Sequence, residues 1–410
     1  MSEQLSFIHA ADLHLDSPFQ GLVSVPEKIF KQIQSSTFDA LDNLIQTAIT
    51  KKVDFVLLVG DLFDNERQSL RAQIKLKKAF EELHTHDIDV YLSFGNHDFI
   101  SGNPYPVKYP NNVYIFNEES VSHFTFKKEG NPSANIYGFS YESRSVLQNK
   151  SEEFIVHNPE IPFHIAMLHG SLYSNTEHDT YAPFYISELA DKDFDYWALG
   201  HIHQREIVKE TPPIIYPGNI QGRNRKESGS KGCYHVTLTK NNVNTTYIPT
   251  RSLEFNTLHV DVSNCSAPYE MEELIQHALE RQRYDIPQLL TLEIVGSNSS
   301  LTIWERDGLI DEVIDLFNET SIESQCWNFI FRFQVNVQPN YNELELKKGN
   351  HFIGELLRRS DDASIHTYTE EIYRHKQARK YIHSITKNNE DYVRRQAKEL
   401  LLNELLKGED

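Results

Sequence analysis

Five short stretches of this chain carry side chains that can bind metal. They are Asp12-Leu13-His14, Gly60-Asp61, Gly95-Asn96-His97-Asp98, Leu168-His169-Gly170 and Gly200-His201-Ile202-His203. Asp12 and His14 are two positions apart, as are His201 and His203. In extended backbone such residues project to the same side, so each pair can aim at one cluster. Asp61 has two carboxylate oxygens and can bridge two ions. Asn96 adds an amide oxygen and His169 an imidazole. This donor mixture lacks thiolate and suits a pair of divalent ions, Mn²⁺ first, with Fe²⁺, Mg²⁺ and Zn²⁺ as alternatives. Two ions roughly 3.5–4 Å apart would clamp a phosphate ester, generate a hydroxide nucleophile and stabilise both in-line oxygens. His97 is not needed to complete either coordination shell and is the candidate general acid. Asp98 is the carboxylate that would orient it, or else another histidine ligand.

The elements that must position these groups are readable from hydropathy. Leu5–Ala10, Val53–Val59, Ile88–Phe94, Phe163–Leu168 and Asp195–Leu199 are apolar runs, each ending at one of the five motifs, and near-continuous apolarity marks strands covered on both faces. Residues 27–50 and a segment holding Leu76, Phe80 and Leu83 have helical spacing. Strand alternating with helix predicts an α/β sheet whose ligands gather beyond the strand C-termini. Short β segments follow at Val113–Phe116, Phe124–Phe126, Ile136–Phe139, Ile214–Tyr216, Tyr234–Leu238 and Thr245–Ile248. The expected class is therefore α/β (α+β): a two-sheet sandwich flanked by helices in residues 1–250. A small α/β capping domain is expected in 251–340 and a helical tail in 341–410. In that tail Thr367–Glu370 fits a capping box, and Ile372, Ile382 and Ile385 continue an apolar stripe.

Net charge is −19, which at first disfavours a nucleic-acid partner. The charge is uneven, however: residues 341–410 hold 13 Lys/Arg and 13 Asp/Glu, so the acid excess lies in 1–340. Divalent ions would offset part of it. Gln221–Lys226 is a local basic strip in which Arg223, Arg225 and Lys226 could contact a phosphate backbone; a solvated hairpin loop is the alternative. Asp16 and Asp64 lie near the site and serve equally as turn caps. His178 reads as part of a solvated loop. Three widely spaced cysteines, no signal-like start and no long apolar run predict a reduced, cytoplasmic protein without a membrane span.

The ordered set D-x-H, G-D, G-N-H-D, H and G-H-x-H resembles the calcineurin-like metallophosphoesterases across about residues 5–250. Its order and spacing are similar to the SbcD branch of bacterial repair nucleases, and Ala11–Pro18 resembles the YhaO-like exonuclease subfamily. The resemblance implies that Asp12, His14, Asp61 and His203 hold one ion. Asp61, Asn96, His169 and His201 would hold the other, with His97 as proton donor. Archaeal and eukaryotic relatives have a further histidine three positions after the bridging aspartate; here that position is Asp64, as in the bacterial form. The family further implies DNA as substrate and an SMC-like coiled-coil ATPase as partner, gripped through 341–410. A second copy of the chain is left open as a partner. A small-molecule or nucleotide phosphoesterase, and a non-catalytic scaffold, are the competing readings. A scaffold would not need seven ligands plus His97, and a minimal phosphatase would not need the cap and tail.

Overall fold

A computed structural model describes residues 4–19, 22, 25–64, 68–102, 106–174, 181–297, 300–337, 343–349, 351–365 and 387–406. Strand and helix alternate first: β1 (Gln4–Ala11), α1 (Glu27–Lys51), β2 (Phe55–Val59), α2 (Leu70–Thr85), β3 (Asp89–Ser93) and β4 (Val113–Ile115). Helix α1 buries Ile29, Ile33, Leu41, Leu44, Ile45 and Ala48, a stripe at i, i+3 and i+4 spacing. Helix α2 starts where the Ser69 hydroxyl accepts from Ala72 N at 3.1 Å, one of the donors that a helix start leaves unpaired.

The chain then turns to β structure: β5 (Ser122–Lys128), β6 (Asn131–Gly138), β7 (Phe163–His169), the short helix α3 (Ile186–Ala190), β8 (Tyr196–Gly200), β9 (Glu206–Glu210), β10 (Pro213–Tyr216), β11 (Gly232–Thr239) and β12 (Asn242–Pro249). These strands form two six-stranded sheets, ordered β12-β11-β1-β2-β3-β4 and β5-β6-β7-β8-β10-β9. Neighbours from β1 to β4 run parallel, as do β6, β7, β8 and β10.

Strand alternation builds the layers. Phe7, Phe55, Leu57, Phe163, Ile165, Tyr196 and Ala198 share one buried cluster between the sheets. Ile8, Ala10, Val56 and Leu58 point the other way and pack with Leu41, Leu44, Leu76 and Phe80 of α1 and α2. Ala166, Leu168, Trp197 and Leu199 form a third cluster behind the second sheet. Both faces of each central strand are thus buried, which is why their sequences are apolar throughout. The mixed α/β class with two multi-stranded sheets matches the expectation from sequence. Strand β9 went unread because Glu206-Ile207-Val208-Lys209-Glu210 is an edge strand with an exposed, polar pattern.

The chain divides into two compact units. The first comprises Met1–Asn256, Tyr284–Thr291 and Ser321–Phe331, and the second comprises Thr257–Arg283, Leu292–Thr320 and Arg332–Asp410. Unit one has a further cluster of Phe19, Ile29, Ile33, Leu253, Phe255, Leu289, Trp327 and Phe329, within which Trp327 Nε1 donates to Gln32 Oε1 at 2.6 Å. A three-stranded sheet is ordered β13 (Glu254–Asp261), β14 (Gln288–Gly296), β15 (Asn328–Val337). Unit two contains α4 (Glu270–Gln282), α5 (Ser300–Arg306) and most of α6 (Leu309–Ser321). It ends with α7 (Glu343–Lys348), α8 (Phe352–Asp362) and α9 (Lys387–Leu406). The Thr367–Glu370 capping box, the stripe of Ile372, Ile382 and Ile385, and His178 lie outside the described residues. All three cysteines are free, and among the described residues no helix is long and apolar enough to cross a membrane.

Candidate metal centre

The C-terminal ends of parallel strands from both sheets meet at one pole of the sandwich. Asp12 follows β1, Gly60-Asp61 follows β2, Gly95-Asn96 follows β3, His169 ends β7 and His201 follows β8. The loops are tied to one another by main chain: Asp12 N donates to Gly60 O, His14 N to Asp61 O, Leu15 N to Leu62 O, and Gly170 N to Gly200 O. Asp12, His14, Asp61 and His201 have φ of 52°, 43°, 50° and 97°. Such left-handed backbone in non-glycine residues costs about 1–3 kcal/mol each and persists only where the surroundings enforce it. Gly95 has a different reason. A Cβ there would collide with Asp61 Oδ1 and His169 Nε2, so only glycine lets the β3 loop pass this close.

The donors converge in two groups. Ligand atoms of Asp12, His14 and His203 lie within 4.8 Å of one another, as do those of Asp61, His169 and His201. Asp61 Oδ2 is 3.9 Å from His14 Nε2 and 3.5 Å from His169 Nε2, so it reaches toward both groups. His14 Nε2 and His203 Nε2 face each other at 3.0 Å. Asn96 Oδ1 stands 3.2 Å from both His169 Nε2 and His201 Nδ1. Nitrogen and oxygen lone pairs crowded in this way, around carboxylates that are almost fully buried, fit cations. All seven sequence-expected donors are therefore brought together.

Electrostatics follow from the crowding. Burial pushes the Asp61 carboxyl up, but the His169 and His14 imidazoles beside it hold it well below the usual carboxylate range. Burial draws His169 down, yet Asp61, Asp12 and the Val59 carbonyl carry it up to about 9. Asp12 is raised, chiefly by burial. A cation bound here would compete with a proton for His169, because imidazole ligates metal only when deprotonated.

Two expectations need correcting. Asp98 does not orient His97. Its Oδ1 accepts from Gly95 N at 2.7 Å, and its Oδ2 accepts from Leu62 N and Phe63 N at 2.7 and 3.4 Å. Asp98 therefore staples the β2 and β3 loops together, and burial with the Asp61 charge pushes its pKa up to about 7. His97 is held by main chain instead: its Nδ1 meets Asp64 O at 2.8 Å, and its own N donates to Asp61 Oδ1 at 3.0 Å. A third close grouping, His14, Asp61 and His97, shows that the His97 ring faces the same pole.

Arg223 is not part of an open basic strip. Its side chain is 13% exposed, with Nη1 2.6 Å from Asp64 Oδ1 and Nη2 2.9 Å from Glu227 Oε1 and 3.1 Å from His203 Nδ1. Arg225 and Lys226 remain exposed.

Sequence reading missed Glu227. Its Oε1 accepts from His203 Nδ1 at 2.8 Å, which turns Nε2 of that ring toward His14. Asn219 donates to Glu227 Oε2 at 2.8 Å. Burial opposes ionisation of Glu227, but His203 and Arg223 hold its carboxyl well below the usual range. The only sequence signal was a lone acid among four basic or amide neighbours, which composition alone reads as solvated.

A two-sheet sandwich with histidine, aspartate and asparagine donors at its strand ends defines a metal-dependent phosphoesterase. The chain belongs to the calcineurin-like phosphoesterase family, whose model matches residues 5–205 and whose members bind two divalent metals. It is 35% identical over 407 residues to the metallophosphoesterase YhaO of Bacillus subtilis (strain 168), covering 99% of each chain. It is 23% identical over 384 residues to the DNA double-strand break repair protein Mre11 of Sulfurisphaera tokodaii, covering 87% of this chain and 93% of that one. A crystal structure of a dimetal phosphatase from Danio rerio aligns with TM-score 0.37 and 12% identity, over 61% of this chain and 97% of that one.

Proposed function

We propose that this phosphoesterase is a two-metal phosphodiesterase that shortens DNA from an end, an exonuclease of the SbcD branch in DNA repair. The observation that carries this reading is the paired donor grouping around Asp61, and the similarity to proteins named Mre11 points to DNA. On this reading Asp12, His14, Asp61 and His203 would hold one ion, and Asp61, Asn96, His169 and His201 would hold the other. Two bound divalent ions would supply Lewis acidity and activate water near neutral pH. The protein does the rest. The strained loops fix the donors before substrate arrives. Glu227 keeps the His203 Nε2 lone pair facing inward. His97 has its Nδ1–H committed to the Asp64 carbonyl, so Nε2 is the atom that hands a proton to the leaving oxygen. Arg225 and Lys226 remain as phosphate contacts.

The unit-two helices carry exposed apolar side chains, with Leu344 and Phe352 each 70% exposed and Val393, Leu401 and Leu405 also open. These support residues 341–410 as the grip for an SMC-like ATPase.

Incubation of the full chain and Mn²⁺ with end-labelled single- and double-stranded DNA tests the reading, beside a mononucleotide and a generic phosphodiester. Progressive shortening of the labelled strand is expected, and chelation should stop it. Turnover of the small substrates alone would overturn the DNA assignment. Glu227→Gln should weaken Mn²⁺ affinity by roughly 10–100-fold. A metal titration of the folded variant that overlays the wild type would remove Glu227 from the ligand-setting role.

A further inference from the structure

Tyr173 and Tyr185 stack on each other with ring centroids 4.5 Å apart and planes 21° from parallel. They are 44% and 54% exposed, and Ile186 beside them is 38% exposed. Single exposed apolar residues need no explanation. A stacked aromatic pair that stays about half exposed, four residues beyond His169, does need one.

The position of the pair is fixed by main chain. The segment leaving His169 pairs with the segment entering α3: Ser171 N donates to Tyr181 O at 2.9 Å, Phe184 N to Ser171 O at 3.2 Å, and Tyr173 N to Phe184 O at 3.1 Å. Ser171, Ala182 and Phe184 are fully buried beneath it. The same clamp sets the Tyr181 ring 5.6 Å from the His201 ring. Tyr173 is four residues beyond His169, and at roughly 3.3–3.6 Å per residue its Cα lies within about 14 Å of that ligand. A nucleobase on the pair would therefore belong to a nucleotide close to the reacting phosphodiester.

We infer that the Tyr173–Tyr185 pair is a stacking platform for an unpaired nucleobase of a DNA strand whose phosphodiester lies at the metal centre. Every nucleobase presents a π-face, so the platform tolerates any sequence. Inside a duplex both faces of each base are already covered by neighbours. The platform therefore selects a frayed or single-stranded end. This inference rests on the DNA phosphodiesterase reading and deepens it.

The test measures binding and cleavage separately. A fluorescent single-stranded oligodeoxynucleotide is compared with one whose terminal three residues are abasic, for the wild type, Tyr173→Ala/Tyr185→Ala and Tyr173→Phe/Tyr185→Phe. Anisotropy is read with EDTA, cleavage with Mn²⁺, and thermal midpoints confirm folding. The wild type should bind the base-bearing strand about tenfold or more tighter than the abasic one, as stacking energies per base require. The alanine pair should lose that preference and the phenylalanine pair keep it. Equal affinity of the wild type for both strands, or an unchanged preference in the alanine pair, would overturn the platform. Base-dependent binding without Mn²⁺-dependent cleavage would leave the platform standing and sink the nuclease reading instead.

Discussion

His97→Ala should hydrolyse phosphodiesters about 10²–10⁴-fold more slowly than the wild type, the range typical for loss of a positioned acid, while its Mn²⁺ binding changes little. The expectation comes from how the ring is held. Asn96, its neighbour, faces His169 and His201, whereas the His97 Nδ1 is spent on the Asp64 carbonyl. One nitrogen is left to meet the leaving oxygen. The His97 backbone N donates to Asp61 Oδ1, and that bond survives the truncation to alanine. The His14–Asp61–His97 grouping is itself tight enough to hold a cation, so the metal readout is decisive. If bound metal falls together with turnover, His97 is a ligand and the proton donor must be sought elsewhere.

Asp61→Asn should be worse. Its Oδ2 lies between His14 and His169, one from each donor group, and its Oδ1 supports His97. Asparagine preserves the shape and the acceptor for His97 N but removes the charge that two cations would share. Losing several kcal/mol of charge stabilisation lowers turnover roughly 10³-fold or more. Steady-state rates on a small phosphodiester measure this without involving DNA contacts. A variant retaining a tenth of wild-type turnover would mean that Asp61 is not the shared ligand.

The donor motifs were legible in the sequence because each sits directly after an apolar run, and a parallel strand buried on both faces must read that way. The convergence of five strand ends follows from that rhythm. What stayed hidden depends on contacts across long stretches of chain. Arg223 reads as a cation beside Arg225 and Lys226, but the fold brings Asp64, 159 positions away, against its guanidinium. Glu227 takes its meaning from His203, 24 positions earlier, whose ring no local pattern connects to it, although its second partner Arg223 is only four residues away. His97 is held by a backbone carbonyl, and main-chain groups leave no mark on residue type. Asp98 looked like a partner for its neighbour because it is adjacent, yet its carboxylate serves three backbone N–H groups of two loops. The segments Tyr284–Thr291 and Ser321–Phe331 cluster with the first unit because Leu289, Trp327 and Phe329 complete a cluster with α1. Their strand-like sequence carries no sign of that destination.

The most direct test counts Mn²⁺ bound per chain by titration of the metal-stripped wild type while following phosphodiester turnover on the same samples. Two ions per chain, with activity rising as the second site fills, is the predicted result. One ion at full activity, or two ions with no phosphodiester hydrolysis, would contradict a centre built around a shared Asp61.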